Sequence, residues 1–360
     1  MKATYALFES ASGAQVHRLP LQAFPNFWAY AYLVATNDKL ILIDTGSGTD
    51  SSHEDLLNGL HQAGYQPSDL THILLTHAHI DHFGGLTQLK PLTSAKIGCH
   101  ELDASTVSDH DTRLAFISHR LASFLTESGL ASDEADSLLS IYRFTKALYR
   151  SVPVDFTYNE IGAHLPNLDV IHLPGHCPGH VAIRLDDIIF CGDMVVTGVT
   201  PHLAPESISP FSGLDHYLES LEKFHAWAKD ARLILNGHDD VINDLPAQIE
   251  ATHKNILRRM SKAVESLSEP RTIAEVCNYV YENPAGYTQL LAIEKTGAYL
   301  EYLYERGMIE IVNPDEVEQG LPAKYHCLRD DLVMLLEKDL LVDTEIGKHV
   351  HAETSSHVHM

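Results

Sequence analysis

The run Thr76-His77-Ala78-His79-Ile80-Asp81-His82-Phe83-Gly84-Gly85 sets three imidazoles and a carboxylate within six consecutive positions. Neutral imidazole nitrogen and carboxylate oxygen are the donors that a borderline divalent cation such as zinc accepts, so the run reads as one side of a metal site. If the segment stays extended, His77 and His79 point the same way and grip one ion, with Asp81 continuing on that side. If a helix begins near Asp81, His82 is turned off that line and can serve a second ion. One local cluster cannot close a coordination sphere. Three more ligand-type residues stand far along the chain: His176 in Pro174-Gly175-His176-Cys177-Pro178-Gly179-His180, Asp193 in Cys191-Gly192-Asp193, and His238 in Asn236-Gly237-His238-Asp239. The glycine before each lets backbone turn tightly and approach a crowded centre.

Short apolar runs lead into these groups. Lys39–Asp44, Thr71–Thr76, Val170–Pro174, Ile188–Cys191 and Leu233–Asn236 are β-branched or leucine-rich stretches that end at a polar residue. Runs of this length bounded by Gly, Pro and Asp predict buried strands. Their C-terminal ends are expected to converge on one edge of packed sheets, since functional groups sit on loops held by a rigid scaffold. Between Glu101 and Pro153 the pattern turns helical. Leu114, Ile117, Leu121, Phe124 and Leu125 share a helical face, Gly129 interrupts it, and Leu138, Leu139, Tyr142 and Leu148 resume it. This predicts a helical hairpin, either a lid over the site or a pair packed on the sheet edge. Leu214–Lys229 reads as a further helix.

After Asn243 the strand pattern ends. Ile249–Leu267, Thr272–Tyr281 and Gly286–Arg306 read as helices, and Met308–Val312 with Leu321–Cys327 as a short hairpin. The expected domains are a catalytic one over 1–245, with a helical insertion over about 101–153, and a winged-helix-like one over 246–344. The polar stretch 345–360, with His349, His351, His357 and His359, reads as a solvated tail.

The combined set resembles the metallo-β-lactamase superfamily, closest in style to glyoxalase II-like hydrolases and their winged-helix-bearing relatives. The resemblance covers roughly residues 5 to 245 and rests on the HxHxDH run in combination with the distant elements. It implies an α+β fold, an αββα sandwich, in which His77, His79 and His176 bind a first metal, Asp81, His82 and His238 a second, and Asp193 bridges them. It implies also that Asp44, in Leu42-Ile43-Asp44-Thr45-Gly46, orients the ligand loop without touching metal, a role that fixes ring orientation and tautomer. His180 is expected to make a structural hydrogen bond. The cofactors so implied are two divalent ions, zinc first, with iron or manganese as alternatives.

The remaining histidines and the cysteines carry less. His72, His100, His164, His172 and His202 read as hydrogen-bonded core histidines. Cys177, beside His176, reads as a packed thiol because nothing supplies it with a base. The five cysteines are scattered singly, without CxxC spacing, and are expected to be reduced. Asp239 and Asp240 support the site from behind or are simply exposed.

Forty-nine acidic against 25 basic residues give a formal net charge of -24, a field that repels phosphate backbones and anionic lipid. The helix expected to read DNA in a winged-helix module carries Glu294, Glu301 and Glu305 against Lys295 and Arg306, the wrong sign for phosphate. Nucleic acid is therefore not the expected partner, and dimerisation or cover for the active-site edge is the expected role of that domain. No stretch has the roughly 20 apolar residues of a membrane span, and Met1–Gln15 lacks an apolar run after a basic start, so a cytoplasmic protein is expected.

Two divalent ions about 3.5 to 4 Å apart lower the pKa of a bridging water toward about 7, so hydroxide attacks a carbonyl without a side-chain base. Asp81, near that nucleophile, is the expected catalytic residue and passes on a proton. The expected reaction is hydrolysis of an ester-like bond in a small molecule, thioester or lactone before β-lactam. Phe24, Phe27, Trp28 and Tyr30 offer an apolar wall for an acyl chain, or simply core. The alternatives are a metal-dependent nuclease or phosphodiesterase, a mononuclear iron persulfide dioxygenase, and a non-enzymatic ligand-sensing regulator.

Overall fold

Each apolar run that leads to a ligand-type residue is a strand in the computed structural model, which describes residues 4–198 and 200–327. In chain order the strands are β1 Ala6–Glu9, β2 Gln15–Phe24, β3 Phe27–Ala35, β4 Leu40–Ile43, β5 His72–Leu74, β6 Lys96–Cys99 and β7 Phe156–Thr157, which form one sheet in that order. Then come β8 Leu168–His172, β9 Val181–Leu185, β10 Ile188–Phe190 and β11 Leu233–Leu235, a second sheet ordered β11-β10-β9-β8. In the first sheet β1 to β4 pair antiparallel and β4 to β7 parallel. In the second, β10 and β11 are parallel. The parallel pairs β4–β5 and β10–β11 bring the C-terminal ends of neighbouring strands side by side, which is where the ligand-type residues begin.

The first sheet is buried on both faces, and the period of two along its strands divides its side chains between two cores. Ala31, Leu33, Leu40 and Leu42 join Leu56 and Leu60 of the helix α1 Asp50–Gln62. Their neighbours Tyr32, Val34, Ile41 and Ile43 face Val181, Ile183, Ile188 and Phe190 of the second sheet. This double burial is why the strands read as continuous apolar runs. The result is the expected α+β sandwich. The helix α2 Ile80–Phe83 comes after β5 and leads into α3 Leu86–Leu89, and α4 Glu101–Ser108 follows the end of β6. The helical segment between Glu101 and Pro153 continues as α5 His110–Glu127 and α6 Ser132–Lys146, with Gly129 at φ +90° in the turn between them. They are followed by α7 Ile161–His164 and α8 Leu214–Trp227.

These strands belong to a unit made of Met1–Ile117, Arg143–Val196 and Ala226–Asn243, and a second unit comprises Ser118–Tyr142, Thr197–His225 and the chain from Asp244 onward. In the second unit α9 Leu245–Ser266, α10 Ile273–Tyr281 and α11 Gly286–Glu305 pack around a core that includes Ile256, Met260, Val276, Val280, Ile293 and Leu300. α10 opens on a capping box, Thr272 accepting the Glu275 N–H while the Glu275 carboxylate accepts that of Thr272. After α11 come β12 Glu310–Ile311, the short helix α12 Pro314–Glu318, and β13 Tyr325–His326, which pairs antiparallel with β12. The tail residues 345–360 with their four histidines lie outside the described residues. No helix among the described residues is long and apolar enough to cross a membrane.

Candidate metal centre

Four strand ends build the centre. β5 leads into His77 and His79, β8 into His176, β10 into Asp193 and β11 into His238, while β4 ends at Asp44 just behind them. The chain stays extended through His79, which caps α2, and α2 turns Asp81 and His82 away from the line of His77 and His79. Of the two conformations open to the sequence, the helical one holds. Asp81 accordingly lies with His82 and His238.

The ligand atoms gather into three overlapping groups, each within 4.8 Å: His77, His79 and His176; His77, His82 and Asp193; Asp81, His82 and His238. His79 offers Nδ1, 2.9 Å from His176 Nε2, which is 3.3 Å from His77 Nε2. His82 Nε2 is 3.3 Å from His238 Nε2. Asp193 Oδ2 lies 3.0 Å from His238 Nε2, 3.5 Å from His176 Nε2 and 3.9 Å from His77 Nε2, so it stands between the groups. Asp81 Oδ2 is 3.7 Å from His82 Nε2 and 3.5 Å from His238 Nε2.

The opposite ring nitrogens decide what can occupy the middle. His82 Nδ1–H donates to Asp44 Oδ2 at 2.9 Å, and His238 Nδ1–H to the Trp28 carbonyl at 2.8 Å. The Thr76 hydroxyl donates to Asp44 Oδ2 at 2.7 Å and so accepts the proton of His77 Nδ1 at 3.0 Å. With those protons committed outward, the inward Nε2 atoms present lone pairs to one another. Lone pairs at such distances repel unless a proton or a cation lies between them. The buried Asp193 Oδ1 accepts no hydrogen bond, an orphaned acceptor of the kind that a buried site leaves for a cation. The donor set fits divalent metal.

Charge within the pocket is redistributed accordingly. Burial, then the neighbouring His82, holds His77 well below the usual imidazole range. Against the cost of burial, Asp193 and Asp81 lift His238 to about 9. Against the same cost, His238 and His82 hold the Asp193 carboxyl well below its usual range. His180 lies outside the three groups and accepts the Asp193 N–H through Nε2 at 3.1 Å, so it is a neutral buried acceptor, pushed down to about 3 by burial and by His176. Cys177 is buried and its thiol faces Asp103, burial and that carboxylate pushing it far from thiolate character. His72, His100, His164, His172 and His202 lie outside the groups; His172 donates to the Pro178 carbonyl and His202 faces Glu294 at 3.1 Å. Asp240 reaches back to Arg18 at 3.3 Å.

Several contributors carry no sequence signal. The side chain of Asn236, fully buried, accepts the N–H groups of His238 and Asp239 and so shapes the turn that delivers His238. The Tyr32 hydroxyl donates to the Asn236 carbonyl at 2.6 Å. Asp103, on α4, is buried against two of the ligand loops. An Asn after a strand, a Tyr within one or a lone Asp in a helix looks like any other.

A sandwich with a multi-histidine centre at its strand ends defines a metallo-hydrolase class, and the comparisons with known proteins agree. The sequence model of the metallo-beta-lactamase superfamily matches residues 29–238, and the chain belongs to that superfamily of metal-dependent hydrolases. It is 25% identical over 288 residues to the probable metallo-hydrolase YqjP of Bacillus subtilis, across 76% of this chain and 86% of that one. It is 29% identical over 174 residues to a hydroxyacylglutathione hydrolase of Xylella fastidiosa, a match spanning 48% of this chain and 47% of the relative. A metallo-beta-lactamase family protein from Thermus thermophilus shares the fold, with a TM-score of 0.67 and 23% identity over 87% of this chain and 98% of its own.

Proposed function

We propose that the chain is a binuclear metal-dependent hydrolase of small molecules that cleaves an ester-like bond, thioester or lactone before β-lactam. The supporting observation is the meeting of seven ligand-type residues in three overlapping groups, with ring protons committed away from the middle. In this reading His77, His79 and His176 hold one divalent cation, zinc first, and Asp81, His82 and His238 hold the other, with Asp193 shared. Bound there, the ions supply a water acidic enough to be hydroxide near neutral pH and offset the charge that develops on the carbonyl oxygen.

The protein's own part is positional. Asp44 and Trp28 fix the tautomers of His82 and His238, so no ring need turn as ligands arrive. Asp81 is the catalytic residue: its carboxylate is partly exposed, and from beside His82 and His238 it takes up a proton and passes it to solvent. The Phe27 ring, 4.8 Å from that of His238 and 42% exposed, stacks on Phe24 and gives the site an apolar flank for an acyl group. A thioester fits the relative named a hydroxyacylglutathione hydrolase. All five cysteines are free and four are buried, as a reducing cytoplasm would keep them.

Metal analysis of protein purified without added metal should give close to two zinc-type ions per chain. One tightly held iron would shift the reading to a persulfide dioxygenase. His79→Ala should abolish turnover with the fold intact, and retained activity would remove the assignment of the first site. A panel of acyl thioesters, lactones, β-lactams and a bis-phenyl phosphodiester, run at several salt concentrations, identifies the bond. Steeply salt-dependent cleavage of RNA would instead favour a nuclease.

A further inference from the structure

We propose that Asp103 is the positioning residue that presets the His77, His79 and His176 triangle, by tying the two loops that carry those residues to a single buried carboxylate. The inference rests on the reading of that triangle as a metal site.

Asp103 lies in the first turn of α4 and is almost wholly buried. Its Oδ2 accepts the N–H of Ala78, the residue between His77 and His79, at 2.9 Å. Its Oδ1 accepts the N–H of Gly179 at 2.9 Å, in the turn that carries His176 and His180. The Cys177 thiol, next to His176, lies 3.4 Å from Oδ2 and 3.5 Å from Oδ1. All three neighbours are donors, the arrangement a carboxylate satisfies and a neutral acid does not. Burial pushes the Asp103 carboxyl up, and those three donors work against the shift. Burying an anion without a cationic partner at contact is expensive, and such groups persist where hydrogen bonds repay them and a specific geometry depends on them.

Asp103 accepts a backbone N–H from each of the two loops. His77, His79 and His176 come from segments almost a hundred residues apart, and each loop is irregular backbone whose amides must find acceptors. One carboxylate satisfies an amide from each. Gly179 marks how closely the loop must come, since a Cβ there would sit 2.5 Å from Asp103 Cγ. Asp103 also lies behind the triangle as a negative charge beyond the ligands, where it favours cation binding without competing for a coordination position.

Asp103→Asn keeps the shape but turns one acceptor into a donor that faces a backbone N–H. We expect its zinc affinity, measured by competition with a chromophoric chelator, to fall about 10- to 100-fold. In the cobalt-substituted protein the d–d absorption should change in intensity and position, while far-ultraviolet circular dichroism of the metal-free protein stays as in the wild type. A purely structural role would lower stability and leave affinity and cobalt spectrum alone. Gly179→Ala, which leaves the carboxylate but forces the loop off it, should weaken zinc binding in the same direction and serves if Asp103→Asn does not fold. Wild-type affinity in either folded variant overturns the proposal. Absence of bound metal in the wild-type protein would overturn both this inference and the functional reading, whereas equal metal binding by wild type and variant would overturn this one alone.

Discussion

Asp44 shows how far single side chains are bent to the needs of the centre. It has φ +60°, a left-handed conformation that costs a non-glycine residue of order 1–3 kcal/mol in strain. In return its carboxylate turns back across the strand ends to accept the Thr76 N–H, the Thr76 hydroxyl and the His82 Nδ1–H. A glycine would adopt the backbone freely but could hold none of these groups. The Oδ2 atom matters most, because it fixes both His82 and, through the Thr76 hydroxyl, His77. In Asp44→Asn an amide nitrogen at that place cannot accept either proton, and the rings are free to exchange tautomers and point N–H groups inward. Zinc affinity should fall about 10- to 100-fold and turnover with it, while the sheets stay formed. Zinc titration of the variant gives the answer, and wild-type affinity would show that the strained aspartate serves stability alone.

Strand and loop elements explain both what the sequence makes visible and what it hides. β4, β5, β8, β10 and β11 were legible because sheets buried on both faces demand continuous apolar runs, and each run stops at the residue where the centre begins. The candidate residues that the structure brings together stand out in the sequence because imidazoles and carboxylates at the ends of four strands have few bland explanations, and their division between two ions comes from the family resemblance. The start of α2 at Ile80 has no periodic signal, because a four-residue helix is too short for a period to show, so from the residues alone the side of Asp81 stays open and only the family resemblance groups it with His82 and His238. Asp103, Asn236 and the Trp28 carbonyl were invisible because their roles depend on tertiary neighbours, and a backbone carbonyl has no residue signature at all. Gly237 lies at the crowded end of β11, where a Cβ would sit 2.3 Å from Asp193 Oδ1 and 2.6 Å from His82 Cε1. Gly237→Ala therefore pushes the β11 turn, and His238 with it, away from the centre while leaving both sheet cores untouched. On the proposed two-ion reading its metal content should fall by about one ion per chain relative to the wild type, with the far-ultraviolet spectrum unchanged. Full stoichiometry in that variant would mean that the turn relaxes at no cost.

For the molecule taken whole, acidification sets two effects against each other. Protonating some of the 49 acidic side chains relieves the self-repulsion of a chain with a net charge of -24, which favours the folded state. Histidines that burial holds neutral, outside the carboxylate-rich centre, act the other way, because the unfolded chain lets them charge. His253, well inside α9 and 2% exposed, is pushed down to about 4 by burial, with Glu250 working against the shift. Burial lowers His17 and His72 as well. With the unfolded value near 6.5, the stability that follows from a neutral His253 is complete above about pH 6.5. It is lost progressively as the pH falls toward 4, by at most about 3 kcal/mol, because only the unfolded chain takes up the proton in that window. Relief of surface repulsion is spread over many screened charges and should be the smaller effect at physiological ionic strength. Urea unfolding of the wild type and of His253→Gln at pH 7 and pH 5 separates the two, since both proteins share the surface charge and differ in the buried group. The wild type should lose more stability between those values than the variant, and identical losses would assign the acid sensitivity to groups other than His253.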